Sequence, residues 1–143
     1  MSNVLAGIGR GQLEVLNDRV EVRRSNFERY INVGFNIRFQ EAPSEYHSNR
    51  WLACLLIDPI FNKGLSREEI RLELELKNIE ARPLWKPMHQ QPVSLNVKSY
   101  LNGVSDKLFE NGLYLPSGSN LTEKDFERIF ECLDRVFAKY QNR

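Results

Sequence analysis

The stretch Arg50-Trp51-Leu52-Ala53-Cys54-Leu55-Leu56-Ile57-Asp58 decides the fold. No polar residue interrupts it from Trp51 to Ile57, the pattern of a strand covered on both faces rather than one that alternates between core and water. Pro59 ends the run, because proline cannot donate to a ladder. The run is far shorter than the roughly 20 apolar residues a membrane helix needs. It predicts the central strand of a small sheet.

Upstream of it, Asn36 to Ser48 is mixed polar sequence around Pro43 and reads as irregular. Further back, Leu13, Leu16, Val20, Phe27 and Ile31 return to one side at spacings of three, four and seven. That period predicts one long or kinked helix from about Val4 to Tyr30. It has no cap-rich lead-in, so it reads as an element continued from something upstream.

Downstream, Ser66 and Glu69 form a capping box for a helix running through Ile70 and Leu74 to about Asn78. Ile79 to Leu84 reads as extended, and Pro83, Pro87 and Pro92 break Arg82 to Val93 into a loop. Val97, Tyr100, Leu101, Val104 and Leu108 predict a helix that Asn111-Gly112 closes with a left-handed cap, followed by a short strand, Leu113 to Leu115. Thr122, with Asp125 three residues on, caps a last helix whose stripe is Phe126, Ile129, Phe130, Leu133, Val136, Phe137 and Tyr140. The fold class is therefore α+β: a small antiparallel or mixed sheet covered by helices and preceded by a long N-terminal helix, with residues 1–143 forming one domain.

The composition narrows the function classes. The chain has 143 residues with 20 Lys+Arg against 19 Asp+Glu, a net charge of +1, which argues against nucleic-acid binding through a broad basic surface. Cys54 and Cys132 are far apart in apolar surroundings and form no C-x-x-C pair, so buried free thiols are expected, with no zinc or redox site. With two histidines, a multi-histidine metal centre is excluded, and His47 in its polar loop reads as solvated. Gly7, Gly9 and Gly11 have G-x-G-x-G spacing with no strand before them, so they predict close helix packing rather than a phosphate loop. No membrane segment or leader is read, and a cytoplasmic protein is expected.

One loop carries ligand-binding chemistry. Arg82-Pro83-Leu84-Trp85-Lys86-Pro87-Met88-His89-Gln90-Gln91-Pro92 places a guanidinium, an indole and an imidazole on one proline-stiffened segment. Arg82 can grip a carboxylate or phosphate bidentately, Trp85 can cover a ring, and His89 can donate hydrogen bonds. The plainer reading is a surface loop whose Trp85 and Met88 plug the core.

That loop closely resembles a signature of the DegT/DnrJ/EryC1/StrS aminotransferases. Three other segments agree in order: Met1-Ser2-Asn3 with Ala6 to Leu16 (A-G-I-G-R-G-Q-L-E-V-L), Ser48-Asn49-Arg50-Trp51-Leu52, and Leu115-Pro116-Ser117-Gly118-Ser119-Asn120-Leu121-Thr122. The resemblance spans essentially the whole chain. It implies the C-terminal small domain of a fold-type I enzyme that uses pyridoxal phosphate (PLP) to aminate nucleotide-linked keto sugars in polysaccharide or glycan synthesis. Family members carry the Schiff-base lysine in a large domain, whose segment has no counterpart here, and the small domain closes one side of the active site.

By that resemblance, Arg82, Trp85 and His89 face the site mouth and hold the sugar nucleotide or the amino donor's carboxylate. No catalytic or cofactor-binding residue is assigned to this chain, and PLP is not expected to bind it alone. Lys63, Lys77, Lys86, Lys98, Lys107, Lys124 and Lys139 remain, of which Lys86 is a pocket or surface residue. Val93-Ser94 departs from the aromatic that many relatives carry. Homo-oligomerisation, or pairing with a cofactor-domain chain, is expected from apolar surface on the first helix and near Trp85. The competing reading is a stand-alone, non-catalytic module that binds a sugar nucleotide or pairs with a full-length paralogue.

Overall fold

Across the middle of the sheet Ala53 faces Leu115 and Leu55 faces Leu113, so the Arg50–Asp58 run does become a central strand. The computed structural model describes residues 2–141. Among them are helices α1 (Asn3–Glu14) and α2 (Leu16–Ile31), strands β1 (Arg38–Phe39) and β2 (Ala53–Leu56), and helix α3 (Arg67–Glu75). Strand β3 (Arg82–Pro83), helix α4 (Val104–Asn111), strand β4 (Gly112–Leu115) and helix α5 (Glu123–Gln141) follow. The sheet is antiparallel in the order β1-β2-β4-β3.

One face of the sheet makes the core. Ala53, Leu55, Ile57, Leu113 and Leu115 are buried there with Phe27 and Tyr30 of α2, Ile70 and Leu74 of α3, and Phe126, Ile129, Leu133 and Val136 of α5. The predicted stripe of α5 thus packs inward, with Phe130 partly buried. Thr122 and Asp125 cap it reciprocally: Thr122 N and Oγ1 donate to Asp125 Oδ2 at 2.8 and 2.7 Å, and Asp125 N donates back to Thr122 Oγ1 at 3.3 Å. The Ser66–Glu69 capping box of α3 is present as read.

Several expectations are corrected. Strand β2 is not covered on both faces: Cys54 and Leu56 are half-buried, because their face carries no helix layer like that of the core side. Cys54 is accordingly a half-buried thiol and Cys132 a buried one, both free. The first helix, read as long or kinked, takes the kinked form, interrupted at Val15 (φ −112°, ψ 9°), whose amide turns to the carbonyl of Leu13. Only the end of α2 reaches the core, and α1 buries nothing. A Cβ added at Gly7, Gly9 or Gly11 meets nothing within 4 Å, so the expected helix packing is not made within the chain.

The helix expected over Val97–Leu108 begins only at Val104, after Gly103 in the left-handed conformation (φ 76°). Val97, Tyr100 and Leu101 lie outside it and are exposed. Gly112 is no left-handed cap: it is extended (φ −97°, ψ 138°) and opens β4 directly. Glycine is needed there for space, since a Cβ would stand 2.2 Å from Leu84 Cδ1 and 2.3 Å from the Leu108 carbonyl oxygen. Strand β1 falls in the stretch read as irregular, and β3, with Pro83, takes the edge position where a missing N–H is tolerated.

Candidate ligand-binding surface

β3 carries the first of the three predicted ligand residues. Arg82 is paired across the ladder with Tyr114, and Tyr114 with Cys54, so one row of side chains crosses the outer face of the sheet. Arg82 is exposed, and its Nε donates to Glu80 Oε1 at 2.6 Å. The Glu80 carboxylate, with a smaller contribution from Tyr114, holds the guanidinium above its already high ordinary pKa. Arg82 therefore stays cationic at any working pH.

Trp85 is the middle of three aromatic rings. Its centroid lies 5.8 Å from that of Tyr114 at 25° and 6.2 Å from that of Trp51 at 31°, within the range of offset stacking. Trp51 and Trp85 are 60% and 63% exposed, and Met88 is 65% exposed, so Trp85 and Met88 do not plug the core. A hollow of about 390 Å³ beside Trp85 is lined by apolar groups, among them Leu56, Leu84, Pro87 and Phe109.

His89 serves a different purpose. It lies on a short 3-10 turn, Met88–Gln90, with Nε2 2.7 Å from Asp106 Oδ1, and the Gln90 amide donates to the same oxygen. Gln90 first, and His89 second, hold the Asp106 carboxyl below its usual range. The three predicted residues thus do not converge on one pocket. Arg82 opens onto a groove with Tyr114, Ser117, Asn120 and Arg128, Trp85 onto the apolar hollow, and His89 lines neither while clasping the loop to α4. Tyr114 links the first two.

Trp51, Tyr114 and Asp106 were not singled out as site residues by the sequence reading. In the sequence Trp51 reads as part of the strand, but the strand begins two residues later, at Ala53. Asp106 lies 17 residues from His89, with no local pattern to join them. His47 is exposed as expected, although Arg24 Nη1 approaches its Nδ1 at 3.4 Å. All seven lysines are exposed in this chain. Among the described residues no cluster of three or more His, Cys, Asp or Glu is placed to hold a metal, and no helix is long and apolar enough to cross a membrane.

Known proteins share this architecture. EpsN of Bacillus subtilis, named for pyridoxal phosphate-dependent aminotransferase activity, is 45% identical over 144 residues, covering 96% of this chain and 36% of EpsN. GDP-perosamine synthase of Vibrio cholerae is 27% identical over 141 residues, covering 96% of this chain and 38% of that protein. The PLP form of the sugar aminotransferase Spr1654 of Streptococcus pneumoniae superposes with a TM-score of 0.82 at 24% identity, over 98% of this chain and 36% of that one, and shows the fold. The chain therefore spans a little over a third of the length of the relatives it matches. Residues 1–134 match the DegT/DnrJ/EryC1/StrS aminotransferase family, and the chain belongs to it.

Proposed function

We propose that this chain is the C-terminal portion of a PLP-dependent aminotransferase that aminates a nucleotide-linked keto sugar, and that it performs no transamination by itself. The family match over residues 1–134 carries the reading, taken with a coverage of only 36% of EpsN. PLP, when bound, supplies the electron sink for moving an amino group between carbon skeletons. Every lysine of this chain is exposed, and on this reading none of them is the Schiff-base lysine. The lysine and its pocket must come from another segment or another chain.

Within such an enzyme, this portion would supply the wall of the substrate site. Arg82 provides a fixed positive charge for a phosphate or for the donor's carboxylate, and the ring run beside it provides flat apolar area. The name of GDP-perosamine synthase supports a nucleotide-linked sugar as the substrate class.

The test compares the chain alone with the chain joined to the part of EpsN that it does not match. Each is given PLP, glutamate and a panel of nucleotide-linked keto sugars, and amino sugar is measured by mass spectrometry. Amination by the joined protein alone is the expected result. Turnover by the chain alone, or none by the joined protein on any nucleotide-linked keto sugar, would overturn the reading.

A further inference from the structure

The proline-rich loop leaves the sheet after one bond, Leu84 N donating to the Gly112 carbonyl at 3.2 Å, and from Trp85 to Asn102 the chain forms neither strand nor α-helix. A loop of that length keeps one position only where contacts tie it down. His89 and Gln90 supply a tie: His89 Nε2 stands 2.7 Å from Asp106 Oδ1, and the Gln90 side-chain amide donates to the same oxygen. Among the described residues, every other hydrogen bond of residues 85–94 stays within that stretch or runs to Val97. The ring contacts of Trp85 with Trp51 and Tyr114 are the loop's other anchor.

Asp106 stands on the first turn of α4, where an acidic side chain ordinarily serves the helix's own free amides. Gly103, at the cap position, has no side chain for that purpose, and the helix start carries no side-chain cap hydrogen bond. Both hydrogen bonds that the Asp106 carboxylate accepts from other residues come instead from the loop.

The two elements joined in this way are two walls of the apolar hollow of about 390 Å³. Leu84, Trp85 and Pro87 line it from the loop, Leu108 and Phe109 from α4, and Cys54 from β2. We infer that Asp106 is a positioning residue: gripped by His89 and Gln90, it latches the loop to α4 and so sets the width of the hollow. Without the latch the loop swings between Leu84 at one end and Gly103, left-handed at φ 76°, at the other. The latch acts on the spacing of the walls, whatever the hollow admits and whatever reaction the longer protein performs.

The two cysteines separate an opened hollow from a loosened fold, since Cys54 lines the hollow and Cys132 is 3% exposed in the core. The 143-residue chain is labelled with N-ethylmaleimide, and the rate at each cysteine is read by mass spectrometry of its peptides. Asp106→Ala is expected to raise the rate at Cys54 at least about tenfold, the effect of losing a hydrogen bond to a charged group, and to leave the rate at Cys132 unchanged. Asp106→Asn keeps an oxygen that can accept from both donors and retains most of the protection. His89→Ala/Gln90→Ala reproduces the Asp106→Ala rate, and adding Asp106→Ala to that pair changes nothing more, because all three residues act through one contact.

A Cys54 rate that Asp106→Ala leaves unchanged overturns the latch, as does a Cys54 that reacts in the unaltered chain as fast as a thiol in an unfolded peptide. Equal rises at Cys54 and Cys132 assign Asp106 to the stability of the whole fold and overturn it too. So does an Asp106→Asn rate as high as that of Asp106→Ala, which would trace the effect to charge near the thiol rather than to the grip. None of these outcomes bears on amination, which the joined protein tests separately.

Discussion

Gly112 shows how one atom of space sets the join between α4 and β4. A left-handed cap would make the position replaceable by asparagine, but the observed backbone is extended and the restraint is steric. Leu84 could rotate away from an added methyl group, whereas the Leu108 carbonyl, 2.3 Å off, belongs to the helix itself. Gly112→Ala is therefore expected to destabilise the chain by about 1–3 kcal/mol, the usual cost of overpacking, read as a lower urea midpoint with an unchanged slope. An unchanged midpoint would mean that the helix end yields freely. At this scale the sequence was informative about which residue is special and not about why: Asn111-Gly112 is a recognisable punctuation mark, but only the packing of Leu84 and Leu108 tells crowding from backbone conformation.

The helices α3 and α5 are joined by a carboxylate buried between two cations. Glu73 is 9% exposed in its side chain, with Lys139 Nζ at 2.7 Å and Arg135 Nη1 at 3.2 Å, both half exposed. Lys139 foremost, with Arg135 assisting, draws the Glu73 carboxyl below its ordinary range against the opposing effect of burial. A depressed folded pKa adds stability above the unfolded value, near 4.3 for glutamate, and that stability is lost as pH falls through the folded value. Removing both cations as Arg135→Ala/Lys139→Ala leaves a buried charge uncompensated and is expected to cost about 1–2 kcal/mol at neutral pH, less than a deep pair because the cations are wet. Burial then dominates and pushes the carboxyl up, so the deficit should shrink as pH falls toward 4. A deficit that stays constant with pH, in urea midpoints measured from pH 7 down to pH 4, would assign the loss to packing instead. Glu73 was legible only as a polar residue in a helix, because its partners lie more than 60 residues away.

Over the whole molecule, the core is closed and the apolar remainder is gathered elsewhere. Val4, Leu5 and Ile8 are all more than half exposed on α1, as are Leu95, Val97, Tyr100 and Leu101 on the segment before α4. α1 has three glycines in 12 residues and no buried side chain, so little but its own hydrogen bonds holds it. Amide exchange in α1 should be the fastest of any helix, and light scattering at high concentration should show the isolated chain associating. Leu5→Glu/Ile8→Glu should lower that mass without lowering the melting temperature, since neither residue belongs to the core. A monodisperse chain at high concentration would show that this surface does not drive association.

The sequence by itself determined what short-range physics encodes: the central strand, both reciprocal helix caps, the α5 stripe and the four motifs of the family. Each of these is written within a few consecutive residues, where hydrophobic period and local hydrogen bonding leave little choice. Only the tertiary structure decided which face of β2 is open, where α4 begins, and that Arg82, Trp85 and His89 part company. Those outcomes depend on contacts between distant segments: Trp85 with Trp51 and Tyr114, His89 with Asp106, Arg23 with the carbonyls of Trp51 and Ser117. A side chain's neighbours across a sheet are set by chain topology, which no window of local sequence contains.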